Sequence, residues 1–474
     1  MDSRNQGLAH WMLVTFILFP VLVLLGIFMR TVQAGGLEGL QSWFYPMMTL
    51  HGLGMAGVWY VAAMACTSEA LSRYVAPSAA VRQLAILGTL AGVVLLLVSV
   101  FLGRFAAGWY FLYPLPFQGE WPAWSSVVFL LSLTVLGATW LVWSLDLLRA
   151  IAQRYTLPQA LAWHYLAGRT QPEVPPVVLI STVSLIAGVA ALLSGVILLV
   201  LFFVELLGGP ASDPLLMKNL TFFFGHTIVN LAMYLGVGVV YETLPAYAGR
   251  PWKMNRIVSL AWNTVLLIVL VAYFHHLYMD FVQPGVLQTI GQIASYASAI
   301  PSAVVTIFGA LLLVYRARMR WNLASLLMFL GLAGWAIGGI GAVIDSTISV
   351  NVRLHNTLWV PAHFHTYMLA GLAFMVIGYF YHHAQERAGL AERATVQRVA
   401  VALMVIGAYG LFASFYLSGA YSVPRRYAFY PSQLGFASLW AAAGAGSAGT
   451  FLIGFALYLM ETGKRWLRIV RTGM

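Results

Sequence analysis

One cysteine, Cys66, stands in 474 residues. A single thiol excludes a thiolate-bridged dinuclear copper centre and a haem tethered through two thioethers. Charge is scarce as well. Asp, Glu, Lys and Arg make up 8% of the chain against 61% hydrophobic residues, a balance that would expose far more apolar surface than a water-soluble domain tolerates. No Asp or Glu falls in the middle of an apolar run, so a deep carboxylate relay is absent. The runs also lack the period-two alternation of a membrane barrel, which excludes strands as the main architecture. What remains is a chain that uses a bilayer as its solvent.

Twelve apolar runs are long enough to cross a hydrocarbon core, each of roughly 20 to 30 residues. They lie near 11–33, 46–70, 84–106, 124–148, 175–206, 215–247, 254–278, 285–315, 321–348, 358–383, 396–420 and 432–461. The expected fold class is all-α: a polytopic membrane bundle of about 12 helices. The first run is long and no small-residue cleavage site follows it, so no cleavable signal peptide is expected. The longest loops, about 149–174, 107–123 and 384–395, hold no soluble domain. One membrane domain over 1–474, without internal repeat, is the expectation.

The basic residues orient this bundle. With both termini on one side, only Arg30, Arg104, Lys218, Arg353, Arg425 and Arg426 of the 25 Lys and Arg fall on the other. That bias makes the termini cytoplasmic and the protein a multi-pass protein of the cell's inner membrane. The formal charge of +11 is therefore a topology signal, and nucleic-acid binding is excluded as its meaning.

Six histidines then fall at one depth, toward the side opposite the termini. His51 is near the start of helix 2, His226 about a third of the way down helix 6, His275 and His276 at the end of helix 7, and His363 and His365 at the start of helix 10. A lone membrane histidine is ordinarily an interhelical hydrogen-bonding group. Six in one layer point to metal, because buried neutral imidazole is a ready ligand. Positions i and i+2 of a helix are about 200° apart, so His363 and His365 serve two different partners. His275 and His276, about 100° apart, can turn toward one metal with His226 as third ligand. The pattern calls for one three-histidine metal, one haem with a single histidine and one haem with two.

Five segments carry a family resemblance: "YPMMTLHGLGM", "FFFGHTIVNLAMY", "AYFHHLYMDF", "HNTLWVPAHFH" and "SVPRRYAFY". In order and spacing they resemble the signature segments of catalytic subunit I of the haem–copper oxidases. "GWYFLYPLPFQGEWPAW" and "VYETLPAYAGRPW" are similar to its B-type branch. The resemblance implies two haems and one copper. His51 and His365 become the axial pair of a low-spin haem, His363 the ligand of a high-spin haem, and His226, His275 and His276 the ligands of the copper. Arg425, Arg426 and His355 match residues near haem propionates. The haem types stay open.

One position departs from the oxygen-reducing pattern. Those members read His-Pro-x-Val-Tyr on the copper-ligand helix, with the tyrosine linked covalently to a copper ligand; here the segment is "GHTIVN" and the slot holds Asn230. C-type members take their tyrosine from the next helix, where this chain has Lys253 and Asn255. The long-known NO reductases of the superfamily carry glutamate in that slot. Splitting O2 calls on an electron and a proton from the phenol, whereas joining two NO molecules needs only two electrons and two protons. Asparagine is thus better matched to NO reduction, with an amide that can donate a hydrogen bond to a substrate oxygen.

Two other phenols keep oxygen reduction as the alternative. Tyr296 aligns with a small hydroxyl residue on the proton-input path of B-type relatives, and Tyr234 lies two turns below His226. Tyr241, Glu242, Tyr234 and Tyr296 form the expected proton chain from the cytoplasmic side. Without further cysteines, electrons must come from elsewhere. The resemblance implies a small membrane-anchored cupredoxin-type subunit II, itself able to hold copper A, and a cytochrome c or cupredoxin donor. A transporter would show discontinuous helices and a midplane site instead. A haem-only electron carrier would need four axial histidines and leave the His275–His276 pair unused.

Overall fold

The computed structural model describes residues 3–279 and 284–472 and, among these, is all-helical apart from an isolated bridge between Thr357 and Pro424. Twelve helices are long and apolar enough to cross a membrane. They are Gly7–Gln33 (α1), Gln41–Leu71 (α2), Ala79–Leu102 (α3), Ala123–Tyr155 (α4), Pro176–Leu206 (α5), Pro214–Ala248 (α6), Arg256–Leu277 (α7), Gly285–Val314 (α8), Leu323–Asp345 (α9), Trp359–Ala388 (α10), Ala394–Ala420 (α11) and Phe436–Arg471 (α12). Each apolar run expected from the sequence holds one of them. The longest extensions past the apolar stretch are in α4, which reaches Tyr155, and α12, which reaches Arg471. Their last turns hold basic residues, Arg154 and Arg471, a favourable charge at a helix C-terminus.

Short polar residues start several helices. Asp213 accepts from the Leu216 amide at 2.7 Å, Asn255 from Val258 at 3.0 Å, and Asn322 and Ser325 form a reciprocal capping box. Both ends of the chain lie on one side of the bundle, where the Trp466 indole donates to the Ala9 carbonyl at 2.9 Å. That side also holds ion pairs, with Glu69 on Arg387 at 3.0 Å and Glu461 on Arg393 and Arg465. The opposite side is called the far side below.

The helices that position the site are α2, α6, α7, α9 and α10. More than half of α2, α6 and α10 is buried, so these are the inner helices, while α1, α3 and α8 face lipid more. Helix α9 presents Gly331, Gly334 and Gly338 to α10; a side chain on Gly334 would meet the Ala370 carbonyl and one on Gly338 the Tyr367 backbone. Small residues at this spacing let two membrane helices approach closely. Against them α10 widens into a π-helical stretch, Thr366–Ala373, immediately after its second histidine. Such bulges change which side chains share a face.

Candidate functional site

Three histidines have one ring nitrogen occupied by a backbone carbonyl. His51 Nδ1 lies 2.8 Å from Leu22 O, His363 Nδ1 2.9 Å from Gly338 O, and His365 Nδ1 2.7 Å from Pro361 O. A carbonyl only accepts, so each Nδ1 carries the hydrogen and each Nε2 keeps its lone pair. That tautomer and fixed ring plane are what a metal-bound imidazole requires. Gly26 is part of the arrangement, because a Cβ there would stand 2.9 Å from His51 Cε1.

The rings of His51 and His365 face each other with centroids 6.2 Å apart and planes 21° from parallel. Two imidazoles bound in line to one metal, at metal–nitrogen bonds of about 2 Å, place their centroids about 6 Å apart. These two residues therefore fit one iron between them. His363 turns toward α9 instead, and the opposed faces expected for His363 and His365 are the ones observed.

His226, His275 and His276 converge, with candidate ligand atoms all within 4.8 Å of one another. His226 Nδ1 and His276 Nε2 are 3.3 Å apart, the spacing of two nitrogens at about 2 Å from one metal in tetrahedral geometry. His275 gives its Nδ1 to Ser295 Oγ at 2.8 Å, leaving Nε2 for the ligand position. His276 stacks on Phe222, centroids 5.0 Å apart and planes 15° from parallel. The 3₁₀ turn Tyr273–Leu277 ending α7 is what brings adjacent histidines to one point. No carboxylate joins this group among the described residues, which suits copper better than iron.

All six histidines line one cavity of about 720 Å³. Its far-side mouth holds His355, Arg425 and Arg426. The loops carrying them are pinned together by the Thr357–Pro424 bridge and by the Arg425 amide on Asn356 O at 2.9 Å. Arg425 also donates to Asn356 Oδ1 at 2.8 Å, and Arg426 lies over the Tyr110 ring at 3.7 Å. Arg30, one of the six basic residues counted on the far side, is buried. It donates to Gln33 Oε1 at 2.7 Å and lies over Phe415, which itself stacks on His365. Its Nε has no partner among the described residues, in a cavity wall beside the His51–His365 pair.

Asn230 does stand beside His226, as one helical turn demands. Its Nδ2 donates to His226 O at 2.9 Å and lies 3.2 Å from His226 Nε2. Asn230 thus touches both the backbone carbonyl and the Nε2 edge of the His226 ring. Of the two phenols singled out from the sequence, Tyr234 lines the cavity edge-on to Trp262, and Tyr296 does not. The Tyr296 hydroxyl meets Thr347 Oγ1 at 2.5 Å, beyond the end of α9.

A third phenol at the cavity was missed. Tyr367 is buried in α10, lines the cavity and donates to Asn230 Oδ1 at 3.0 Å. The signal was present, since Tyr367 follows His363 by four residues and so shares its face. A row of hydroxyls was missed as well. Ser295, Ser298, Ser302 and Thr306 are buried along α8, the first bonded to His275 and the last to the Tyr241 hydroxyl at 3.0 Å. Glu242, next to Tyr241, accepts from Tyr74 at 2.8 Å toward the terminal side.

The sequence model of the family described as "Cytochrome C and Quinol oxidase polypeptide I" matches residues 8–448. This chain belongs to the haem–copper oxidase subunit I family. Its members are oxidoreductases that bind two haems and a copper, and this chain is a multi-pass membrane protein of that kind. It is 25% identical over 404 residues to a cytochrome c oxidase subunit 1 of Synechocystis, a match covering 82% of this chain and 70% of that protein. It is 27% identical over 234 residues to the subunit 1 of Thermus thermophilus, covering 45% of this chain and 41% of that one. The fold matches a heme-copper terminal oxidase dimer solved by cryo-EM, with TM-score 0.75 and 19% identity over 98% of this chain and 84% of that one. The histidine geometry above fits the family's metal groups.

Proposed function

We propose that this subunit reduces nitric oxide to nitrous oxide: two NO, two electrons and two protons give N2O and water. The observation that carries this is Asn230, an amide seated 3.2 Å from the copper-ligand ring of His226 where an oxygen-reducing site needs a phenol. When bound, the high-spin haem iron and the copper supply the two electrons and the positive charge that draws two NO molecules together. The chain's own residues supply the rest. His51 and His365 hold the low-spin haem that relays electrons, and His363 holds the high-spin haem over the three-histidine copper site. Arg425, Arg426 and His355 neutralise propionates at the far-side mouth.

Protons reach the site along α8, from Glu242 and Tyr241 through Thr306, Ser302 and Ser298 to Ser295 beside His275. Hydroxyls can pass a proton by rotation with water between them, which suits a chain without a midmembrane carboxylate. The termini face the cytoplasm and the far side faces outward across the inner membrane. Electrons arrive there from a cupredoxin-type subunit II fed by cytochrome c or a cupredoxin, in a B-type-like, respiratory and denitrifying arrangement. The whole chain, 1–474, is one membrane domain.

Oxygen reduction to water is the second reading, favoured by the cytochrome c oxidase relatives and by the Tyr367 phenol one hydrogen bond from Asn230. The deciding experiment compares NO and O2 turnover by one purified sample under saturating donor. The NO reading requires N2O as the fast product; rapid O2 consumption to water with little N2O would overturn it.

A further inference from the structure

The copper-site histidines differ in what fixes their rings. His275 is held by Ser295 at 2.8 Å and His276 by stacking on Phe222. His226 has Asn230 on its Nε2 edge, and Asn230 has Tyr367 on its carbonyl oxygen. We propose that Tyr367 is a positioning residue, which holds the Asn230 amide and through it sets the orientation of the His226 ring at the copper site.

An asparagine amide has two orientations that differ by a half-turn and fill the same volume. Here its surroundings choose between them. The Tyr367 hydroxyl donates to Oδ1 at 3.0 Å, and the His226 carbonyl accepts from Nδ2 at 2.9 Å. A half-turn would set Oδ1 against that carbonyl, two acceptors face to face. The hydroxyl is buried in an apolar wall, so without Asn230 it would lose its acceptor, which makes the pair mutually dependent.

The tether also joins two helices. Asn230 belongs to α6 with the copper ligand His226, while Tyr367 belongs to α10 with the haem ligands His363 and His365. The Tyr367 ring lies 6.1 Å from that of His363, and its backbone sits against Gly338, where no side chain would fit. The backbone that carries the phenol is thus packed closely against α9. Partners of this kind around a metal-binding imidazole fix its plane and direction.

The inference rests on the proposed NO chemistry only for its activity readout. Tyr367→Phe keeps the ring and removes the hydroxyl. In the reduced protein, the infrared C–O stretch of carbon monoxide on copper reports His226 geometry without turnover. Tyr367→Phe is expected to retain two haems and one copper per chain, to shift and broaden that band, and to slow NO turnover about 2- to 10-fold. In an Asn230→Leu background the same substitution should change neither. An unchanged band, loss of copper, or an equal further loss in the Asn230→Leu background overturns the positioning role. A wild type that fails to reduce NO overturns the proposed activity but leaves the band shift, and with it this inference, to stand on its own.

Discussion

His51 of α2 and His365 of α10 stand 314 positions apart in the sequence and yet face each other at 6.2 Å, each ring fixed by a backbone carbonyl on its Nδ1. His363, two residues before His365, bonds to α9 instead. Under the proposed ligand assignment one helix would hold both haems.

From this follows a spectral prediction. His365→Ala should abolish the low-spin haem signal and leave high-spin signal in place, and His363→Ala should do the reverse. Optical spectra of the two purified variants check it, and removal of the same haem by both would contradict the opposed faces.

Asn230→Leu should lower NO turnover about 10- to 100-fold, the range for losing the hydrogen-bonding partner of a metal ligand. Copper content should stay at the wild-type value, because His226, His275 and His276 remain. Turnover assays paired with metal analysis decide this, and wild-type turnover in the variant would remove Asn230 from the mechanism.

Tyr241→Phe breaks the hydroxyl row where it meets Thr306. Turnover should fall on the order of 100-fold, as for loss of a positioned proton-transfer group. Haem reduction by the donor should be unchanged, since no ligand is touched. Stopped-flow traces separate the two steps, and equal slowing of both would show a structural defect instead.

Gly338→Val would drive a side chain into the Tyr367 backbone, whose nearest atoms lie 2.9 Å from where a Cβ would stand. Overpacking of this kind costs about 1–3 kcal/mol. The variant should melt at lower temperature and lose high-spin haem before low-spin haem, because the Gly338 carbonyl holds His363. Thermal melts with haem spectra at each temperature check the order of loss.

The amino-acid sequence by itself determined the solvent, the twelve helices and the six histidines. A bilayer core forces every backbone group into a helix, and the 3.6-residue period alone sets His363 and His365 on opposite faces. It also placed Asn230 on the face of His226, four residues back. Tertiary structure decided what those faces meet. Helix rotation and crossing follow from contacts such as the glycine row of α9 against α10, which no single-helix pattern encodes. That packing took Tyr296 away to Thr347, brought Tyr367 to Asn230 and buried Arg30 over Phe415. It also turned the Asn230 amide toward His226, because the positions of its donors and acceptors are fixed by a neighbouring helix 137 positions along the chain.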